Sequence, residues 1–427
     1  MAIINTFDSS GVRAALLTPA FSLLPQCHHR RLCHELSDAD WVCIGVERVL
    51  EPRTSGRGFL QKLASRAPAK CPENSHFFES LKSKRRLDLC AELNTLLCAQ
   101  GARQLPDRLA ALSALEGFDI HAADGHFHAA AAHDKADEKG TKHATGHLYM
   151  RNLRSGMLSH LSTLDQILCK KEHDMHGLKR STIDSLRQGA PKGRKVLLVY
   201  DRAIIDFTQW HKWKQGSGIY VITRTKENLV LSVIGVPPFE RDDPINAGVI
   251  ADELVAPATG GAVLRRVTFK DILSGEVYEF LTNVLDKNVA PGLIAFLYRS
   301  RWGIEKSFDE FKNKLGEQKA WASSGTAKGM QAQFLCLTMN LLSLLEHQLA
   351  SQEDIRNRPE EQRRARRLEE AQAQAVKQNT VLPQALMLVP RISQLGVKLI
   401  RWVAAHLWLD VPWKQACLAL RRLYLAL

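Results

Sequence analysis

The sequence predicts an α/β fold: a mixed sheet flanked by helices, with a β-rich insertion and helical regions at both ends. Three observations carry this expectation. Near Gly117 the hydrophobic period changes from helical to alternating. The run Val196-Leu197-Leu198-Val199-Tyr200 is continuously apolar, as in a strand buried on both faces. Two long helices, over about 291–315 and 325–348, follow a stretch of short β-like segments; the first opens on Pro and Gly, as helix starts often do.

Taken in order, residues 1–115 read as a helical, DNA-binding N-terminal region. Ser37 caps a helix in which Val42, Val46, Val49 and Leu50 recur at helical spacing. A second helix over 74–97 has Phe77, Leu81, Leu89 and Leu96 among its apolar positions, and carries Lys82, Lys84, Arg85 and Arg86. That basic run is either a phosphate-contacting patch or a solvated face. From Phe118 onward, Phe118, Ile120 and Ala122 alternate with Asp119, His121 and Ala123, which puts Asp124 on the apolar side at an edge of the first strand. Strands over 147–152 and 157–161 flank the turn Arg154-Ser155-Gly156. A helix over 177–186, the apolar strand ending at Asp201, a short helix with Trp210 and Trp213, and a strand over 218–223 complete the series.

Three strands, helix, strand, helix, strand is the order of an RNase H-like sheet. Residues 227–289, broken by turn signals such as Thr259-Gly260-Gly261 and Ser274-Gly275, are then an insertion within a catalytic domain of 116–348. The remainder, 349–427, divides into a charged connector and a helical C-terminal region. Over 351–378 seven basic side chains stand against six acidic ones, so this is a solvated helix or connector rather than a basic tail. The apolar stretch 397–409, with Trp402 and Trp408, reads as a small helical domain or an oligomer contact.

With 58 Lys and Arg against 45 Asp and Glu, the net charge of +13 favours a polyanionic partner. The most apolar stretch, 334–345, contains Thr338, Asn340 and Ser343, and falls short of the roughly 20 apolar residues that span a bilayer. It reads as a buried helix, with no membrane partner. The first residues lack the basic-then-apolar layout of an export signal. Nine cysteines without CxxC pairs suggest no disulfide framework. Reduced thiols in a cytoplasm are the expectation.

The chemistry concentrates on one predicted helix. At 100° per residue, Tyr298, Arg301, Glu305 and Lys312 lie within about 60° of one another. Leu297, Phe308, Phe311 and Leu315 form an apolar stripe beside them. A row of phenol, guanidinium, carboxylate and ammonium suits a site for metal and phosphate; an ordinary amphipathic helix with Glu305 paired to Arg301 fits the same spacing. Asp124 and Asp201, each beside a strand, tip the balance. Neighbouring parallel strands bring such carboxylates together, and their hard oxygens suit Mg²⁺ or Mn²⁺. A metal pair about 4 Å apart serves in-line displacement at phosphorus.

The string Tyr298-Arg-Ser-Arg301-Trp-Gly-Ile-Glu305, continuing to Lys312, has Tyr, Arg, Glu and Lys separated by two, three and six residues. It resembles the Tyr-Arg-Glu-Lys signature of DDE transposases from family-four bacterial insertion sequences. Asp124-Gly125-His126 resembles that group's first-Asp motif, Tyr200-Asp201-Arg202 its second, and Tyr220 to Asn228 the strand that follows. The likeness spans roughly 115–345. It implies cleavage at the element's ends and transfer of the freed 3′-hydroxyls into target DNA. It further implies that Asp124, Asp201 and Glu305 bind two Mg²⁺, with Mn²⁺ able to substitute, and that Tyr298, Arg301 and Lys312 contact DNA phosphates. A homodimer on paired double-stranded ends is implied, in a bacterial cytoplasm at the nucleoid. Group members flip a base against insertion-domain aromatics; Trp210, Trp213 and Tyr278 are the candidates for that role here.

Two alternatives share these residues: a catalytically silent descendant kept for DNA binding, and a metal-dependent nuclease that cuts without joining. Other polar clusters weigh less. Cys27-His28-His29 with Cys33-His34 matches no zinc spacing, so buried thiols and surface imidazoles are expected. Of His121, His126, His128, His133, His143 and His147, His126 reads as a polar neighbour of the metal carboxylates, and most of the rest as hairpin surface.

Overall fold

A computed structural model describes residues 11–425, apart from 33–34, 53, 69–70, 165, 168–169, 172–173, 189, 192, 203, 258–261, 273, 317–318 and 390–394; of 166–167 and 170–171 it describes only the backbone. Cys33, His34 and the turn at 259–261 therefore lie outside the described residues.

The period-two segments form the strands β1 (Phe118–His128), β2 (Thr145–Asn152) and β3 (Leu158–Thr163). A small two-stranded ribbon, β4 (Gln166–Ile167) and β5 (Lys170–Lys171), follows, then β6 (Lys195–Val199) and β7 (Ile219–Arg224). The insertion supplies β8 (Leu231–Gly235), β9 (Val249–Pro257), β10 (Leu264–Lys270) and β11 (Val277–Thr282). Among the described residues one sheet holds nine of these strands, in the order β3-β2-β1-β6-β7-β11-β10-β9-β8. β1, β6 and β7 run parallel, and all other pairings are antiparallel. This mixed sheet with flanking helices is the α/β, RNase H-like architecture the sequence predicts. The insertion continues the sheet, because β11 pairs with β7.

The helices are α1 (Val12–Leu23), α2 (Asp38–Val49), α3 (Gly56–Arg66), α4 (Asn74–Ser80) and α5 (Lys84–Gln104), then α6 (Asp174–Arg180), α7 (Ile183–Leu186) and α8 (Phe207–Ser217). After the insertion come α9 (Pro291–Ser300), α10 (Trp302–Asn313) and α11 (Gly325–Gln352). The chain ends in α12 (Arg358–Lys377), α13 (Gln384–Leu388), α14 (Val397–His406) and α15 (Trp413–Leu425). Alternation along the strands divides the core. Ile120, Ala122, Leu197 and Val199 join the larger cluster with the N-terminal helices and α9–α11. Ala123, Val196 and Leu198 join a smaller one with α6–α8. That is why the apolar run before Asp201 shows no polar face.

α11 is the buried helix expected from its sequence, packed on α1, α2, α5 and β3. Its Asn340 is satisfied: Oδ1 accepts from the Leu158 amide at 2.8 Å, and Nδ2 donates to the Leu158 carbonyl at 2.8 Å and Asn94 Oδ1 at 2.9 Å. A buried amide is tolerated on these terms. Among the described residues no helix is long and apolar enough to cross a membrane. Ser37 caps α2 by accepting from Asp40 N at 3.0 Å, as expected. α12 is the solvated helix of the charged segment, with Glu360 paired to Arg363 and Arg364 and Glu370 to Arg366.

Several expectations are corrected. The helix over 74–97 is two helices, because Ser83 starts a new one by accepting from Arg86 N. The basic run on it is committed internally: Lys82 pairs with Glu79, Lys84 with Asp88 and Arg85 with Asp38, while buried Arg86 lies over Trp41. The helix over 291–315 is also two, α9 and α10, meeting at Arg301. Arg301 keeps right-handed helical angles (φ −53°, ψ −34°), but the bonds there tighten to i→i+3: Arg301 N to Tyr298 O and Ile304 N to Arg301 O.

Candidate functional site

Asp124 lies inside β1, not at an edge of it; its pairing partner on β2 is Tyr149. It shares the face of Ile120 and Ala122, which is the face covered by α10. Gly125 beside it leaves room for another acid. A Cβ at 125 would stand 2.8 Å from both carboxylate oxygens of Asp174, at the start of α6. Asp201 follows β6 and is exposed; its backbone carbonyl accepts from Thr223 Oγ1 at 2.9 Å, which ties it to β7.

Glu305 sits in the first turns of α10, and that turn is clamped from β2. Arg151 donates to Gly303 O at 3.0 Å and to Ser307 Oγ. Further along, Glu310 is fully buried and accepts from the Leu395 amide. Burial pushes its carboxyl up to about 7 against the pull of Arg151 and Lys314.

Arg301, buried at the α9–α10 junction, joins the acids. Nη1 donates to Asp124 Oδ2 at 2.6 Å and Nη2 to Glu305 Oε1 at 2.7 Å, while Nε has no hydrogen-bond partner among the described residues. Burial opposes this charge, but Asp124, Tyr298 and Glu305 outweigh it and hold the guanidinium above its ordinary range. Asp124 is pushed up to about 6: burial acts first, Asp201 and Glu305 add to it, and Arg301 with the Gly125 amide offsets only part. Asp201 is therefore near enough for its charge to be felt, without touching Asp124.

Among the described residues no three His, Cys, Asp or Glu side chains stand at metal-ligand spacing. One guanidinium spans the gap between Asp124 and Glu305. Both the i, i+4 pair weighed from sequence and a cross-element pair are present. Tyr298 is partly buried against Phe280, with ring centres 4.9 Å apart, and burial pushes its hydroxyl up. Lys312 is exposed near the far end of α10, two turns beyond Glu305.

A cleft of about 770 Å³ opens beside these residues, lined by Asp201, Tyr298 and Arg301 and by parts of the insertion. Its wall includes side chains that spacing arguments did not select: Arg224, whose guanidinium lies 4.7 Å from the Tyr278 ring, and Trp302, which is 60% exposed. An exposed tryptophan next to the motif arginine was the available signal. Tyr278 lines this cleft, whereas Trp210 and Trp213 are buried beneath the sheet, away from it.

The histidines are corrected as well. His121, His128 and His147 are buried rather than on a hairpin surface, and His126, read as a neighbour of the carboxylates, is buried as well. His126 stacks on Phe308, with ring centres 4.4 Å apart. His128 accepts or donates to Tyr149 Oη at 2.7 Å, His147 and His160 meet at 3.1 Å, and the rings of His128 and His147 lie 4.2 Å apart. Burial pushes His128 and His147 well below the usual range and His160 down to about 4. Strand alternation puts His126, His128, His147 and His160 on the face of Asp124, under α10 and α11, where water is excluded.

The family model described as "Transposase DDE domain" matches residues 116–341, just over half of the chain. No curated protein matches it.

Proposed function

The chain belongs to the DDE transposase family, and from that premise we propose that it serves a family-four bacterial insertion sequence. It cuts DNA at the element's ends and transfers the freed strands into target DNA. The observation that carries this is the bridge from Asp124 through Arg301 to Glu305, with Asp201 at hand. Acids from two parallel-strand positions and a helix are gathered there, and burial, with Asp201 and Glu305 adding to it, keeps Asp124 raised to about 6 despite Arg301.

DDE transposases depend on divalent metal, and the donor chemistry here fits one. Asp124, Asp201 and Glu305 offer carboxylate oxygens only, the preference of Mg²⁺ with Mn²⁺ as substitute. When bound, two such ions supply Lewis-acid polarisation of the phosphoryl oxygens and a more acidic nucleophile. Arg301 stands in for that charge until the carboxylates are needed, and its released guanidinium then pairs with a phosphate, as do Tyr298 and Lys312. Trp302 and Tyr278 give the cleft aromatic faces for an unstacked base. In the first step a water oxygen bonds to phosphorus and the P–O3′ bond breaks, its oxygen taking up a proton. In the second the freed 3′-hydroxyl loses its proton as its oxygen bonds to a target phosphorus, and the P–O3′ bond of the target breaks, its oxygen taking up a proton.

By the same proposal residues 1–115 bind DNA, 116–348 hold the chemistry with the insertion at 227–289, and 349–427 form a connector and helical end region. The working state is a homodimer on paired duplex ends, in the cytoplasm at the nucleoid. The deciding experiment is cleavage of labelled duplexes bearing the gene's own flanking ends, with Mg²⁺ or Mn²⁺, beside Glu305→Gln. Metal-dependent nicking at the end, lost in the variant, is expected. Binding without nicking in both proteins would leave only a DNA-binding descendant.

A further inference from the structure

Arg48, near the end of α2, is a buried cation with no acidic partner among the described residues. It is 6% exposed, its Nη1 has no hydrogen-bond partner, and among the described residues it makes no ion pair. Its guanidinium lies 4.2 Å from the Trp321 ring centre and 5.3 Å from that of Phe77. Cation–π contact offsets part of the burial cost but offers no acceptor for the N–H groups. Burial alone acts on this group and pushes it down to about 9.

In front of Arg48 stands the N-terminus of α3. A Cβ at Gly56, the first residue of α3, would lie 2.9 Å from Arg48 Nη2. Ser55 caps α3 by accepting from Gly58 N at 3.1 Å, while the amides of Gly56 and Arg57 have no partner among the described residues. Ser55 and Arg57 are exposed, so this end is open to solvent. A helix N-terminus is itself partly positive. Two positive features therefore meet, with no acidic side chain between them among the described residues. Glu51, in the α2–α3 connection, is engaged by Lys62 at 3.0 Å and Arg66 at 3.2 Å.

We propose that Arg48 and the amides of Gly56 and Arg57 form a phosphate-binding site, which takes a backbone phosphate of duplex DNA. The choice of DNA over free phosphate rests on the function proposed above; the phosphate site itself does not. A phosphate brings acceptors to the guanidinium edge and to the helix dipole at once. Gly56 is needed because any side chain there crowds the space beside Nη2.

The test uses the full chain, Arg48→Met, which removes the charge but keeps an apolar stem, and Gly56→Ala, which keeps the charge and fills the space. Thermal unfolding is followed with inorganic phosphate against chloride at equal ionic strength, and binding of a labelled duplex is followed across a salt series. Phosphate should raise the Tm of the wild type more than that of either variant, a difference that cancels general salting effects. Duplex affinity should fall about tenfold in Arg48→Met, with the slope of log K against log salt shallower by about 0.9. Equal phosphate stabilisation in all three proteins, with an unchanged salt slope, overturns the site while leaving DNA binding intact. A wild type that binds no duplex, yet keeps an Arg48-dependent response to phosphate, retains the site for free phosphate and removes the DNA assignment. If Arg48→Met does not fold, Gly56→Ala decides by the same two readouts.

Discussion

Two buried arginines in one sheet-centred molecule have opposite surroundings. In the insertion, Arg265 meets both oxygens of Asp252, at 2.8 Å from Nε and 2.7 Å from Nη2, and its Nη1 reaches Val289 O at 2.7 Å. Every nitrogen has an acceptor, and one carboxylate is fully matched. At the motif, Arg301 spends its two terminal nitrogens on different acids from different elements and leaves Nε without a partner. The saturated pair has nothing left to offer a ligand. The divided one holds two carboxylates apart from each other and can exchange either. Incomplete satisfaction, more than burial, separates the motif arginine from the structural one.

The largest effect should come from the divided site. Glu305→Gln is expected to reduce nicking on the order of a thousandfold or more. Its Tm should stay near that of the wild type, since this side chain is 37% exposed and Arg301 keeps Asp124. Asp252→Ala should do the reverse. It strands Arg265, whose side chain is 6% exposed, at a cost of about 3–5 kcal/mol in denaturant unfolding. A neutral result there would erase the distinction.

Acid should act next, through the histidines beside the site. His160 titrates near 4 when folded and near 6.5 when unfolded, and His128 and His147 shift the same way. The unfolded chain therefore binds more protons, so stability is held above 6.5 and lost as pH falls from there towards 4. His160 alone contributes on the order of 3 kcal/mol of this. Glu310, raised to about 7, opposes the trend, because its protonation favours the folded state below that value. Midpoints measured at pH 7 and pH 4.5 should fall for the wild type and fall less for His160→Gln. The smallest effect is expected from Trp302→Ala: duplex affinity weaker by about 1 kcal/mol in a titration, with no change in Tm.

Much of the sheet was legible because its signals are local. Alternation from Phe118 and the apolar run before Asp201 gave strands of the right type and order, and the Tyr-Arg-Glu-Lys spacing brought Arg301 and Glu305 forward. The break at Arg301 was not legible. The apolar positions Leu297, Ile304, Phe308 and Phe311 run through it without a change of phase, and Arg301 itself stays helical in φ and ψ. Only the hydrogen-bond ladder changes, and no residue type announces that. Ser83, by contrast, was a readable cap inside an apparently continuous helix. The buried histidines misled for a different reason. Imidazole alternates polar and aromatic character, and only the pairing of β1 with β2 and β3 places His126, His128, His147 and His160 under one pair of helices. Arg48 was similarly silent, because a lone arginine near a helix end carries no mark of the acceptor it lacks.

The insertion shares a ladder with the catalytic strands through β11 and β7. Mechanically, the cleft wall and the strands that carry Asp124 and lead to Asp201 belong to one continuous sheet. Swinging the insertion outward as a rigid leaf would tear main-chain hydrogen bonds along that seam.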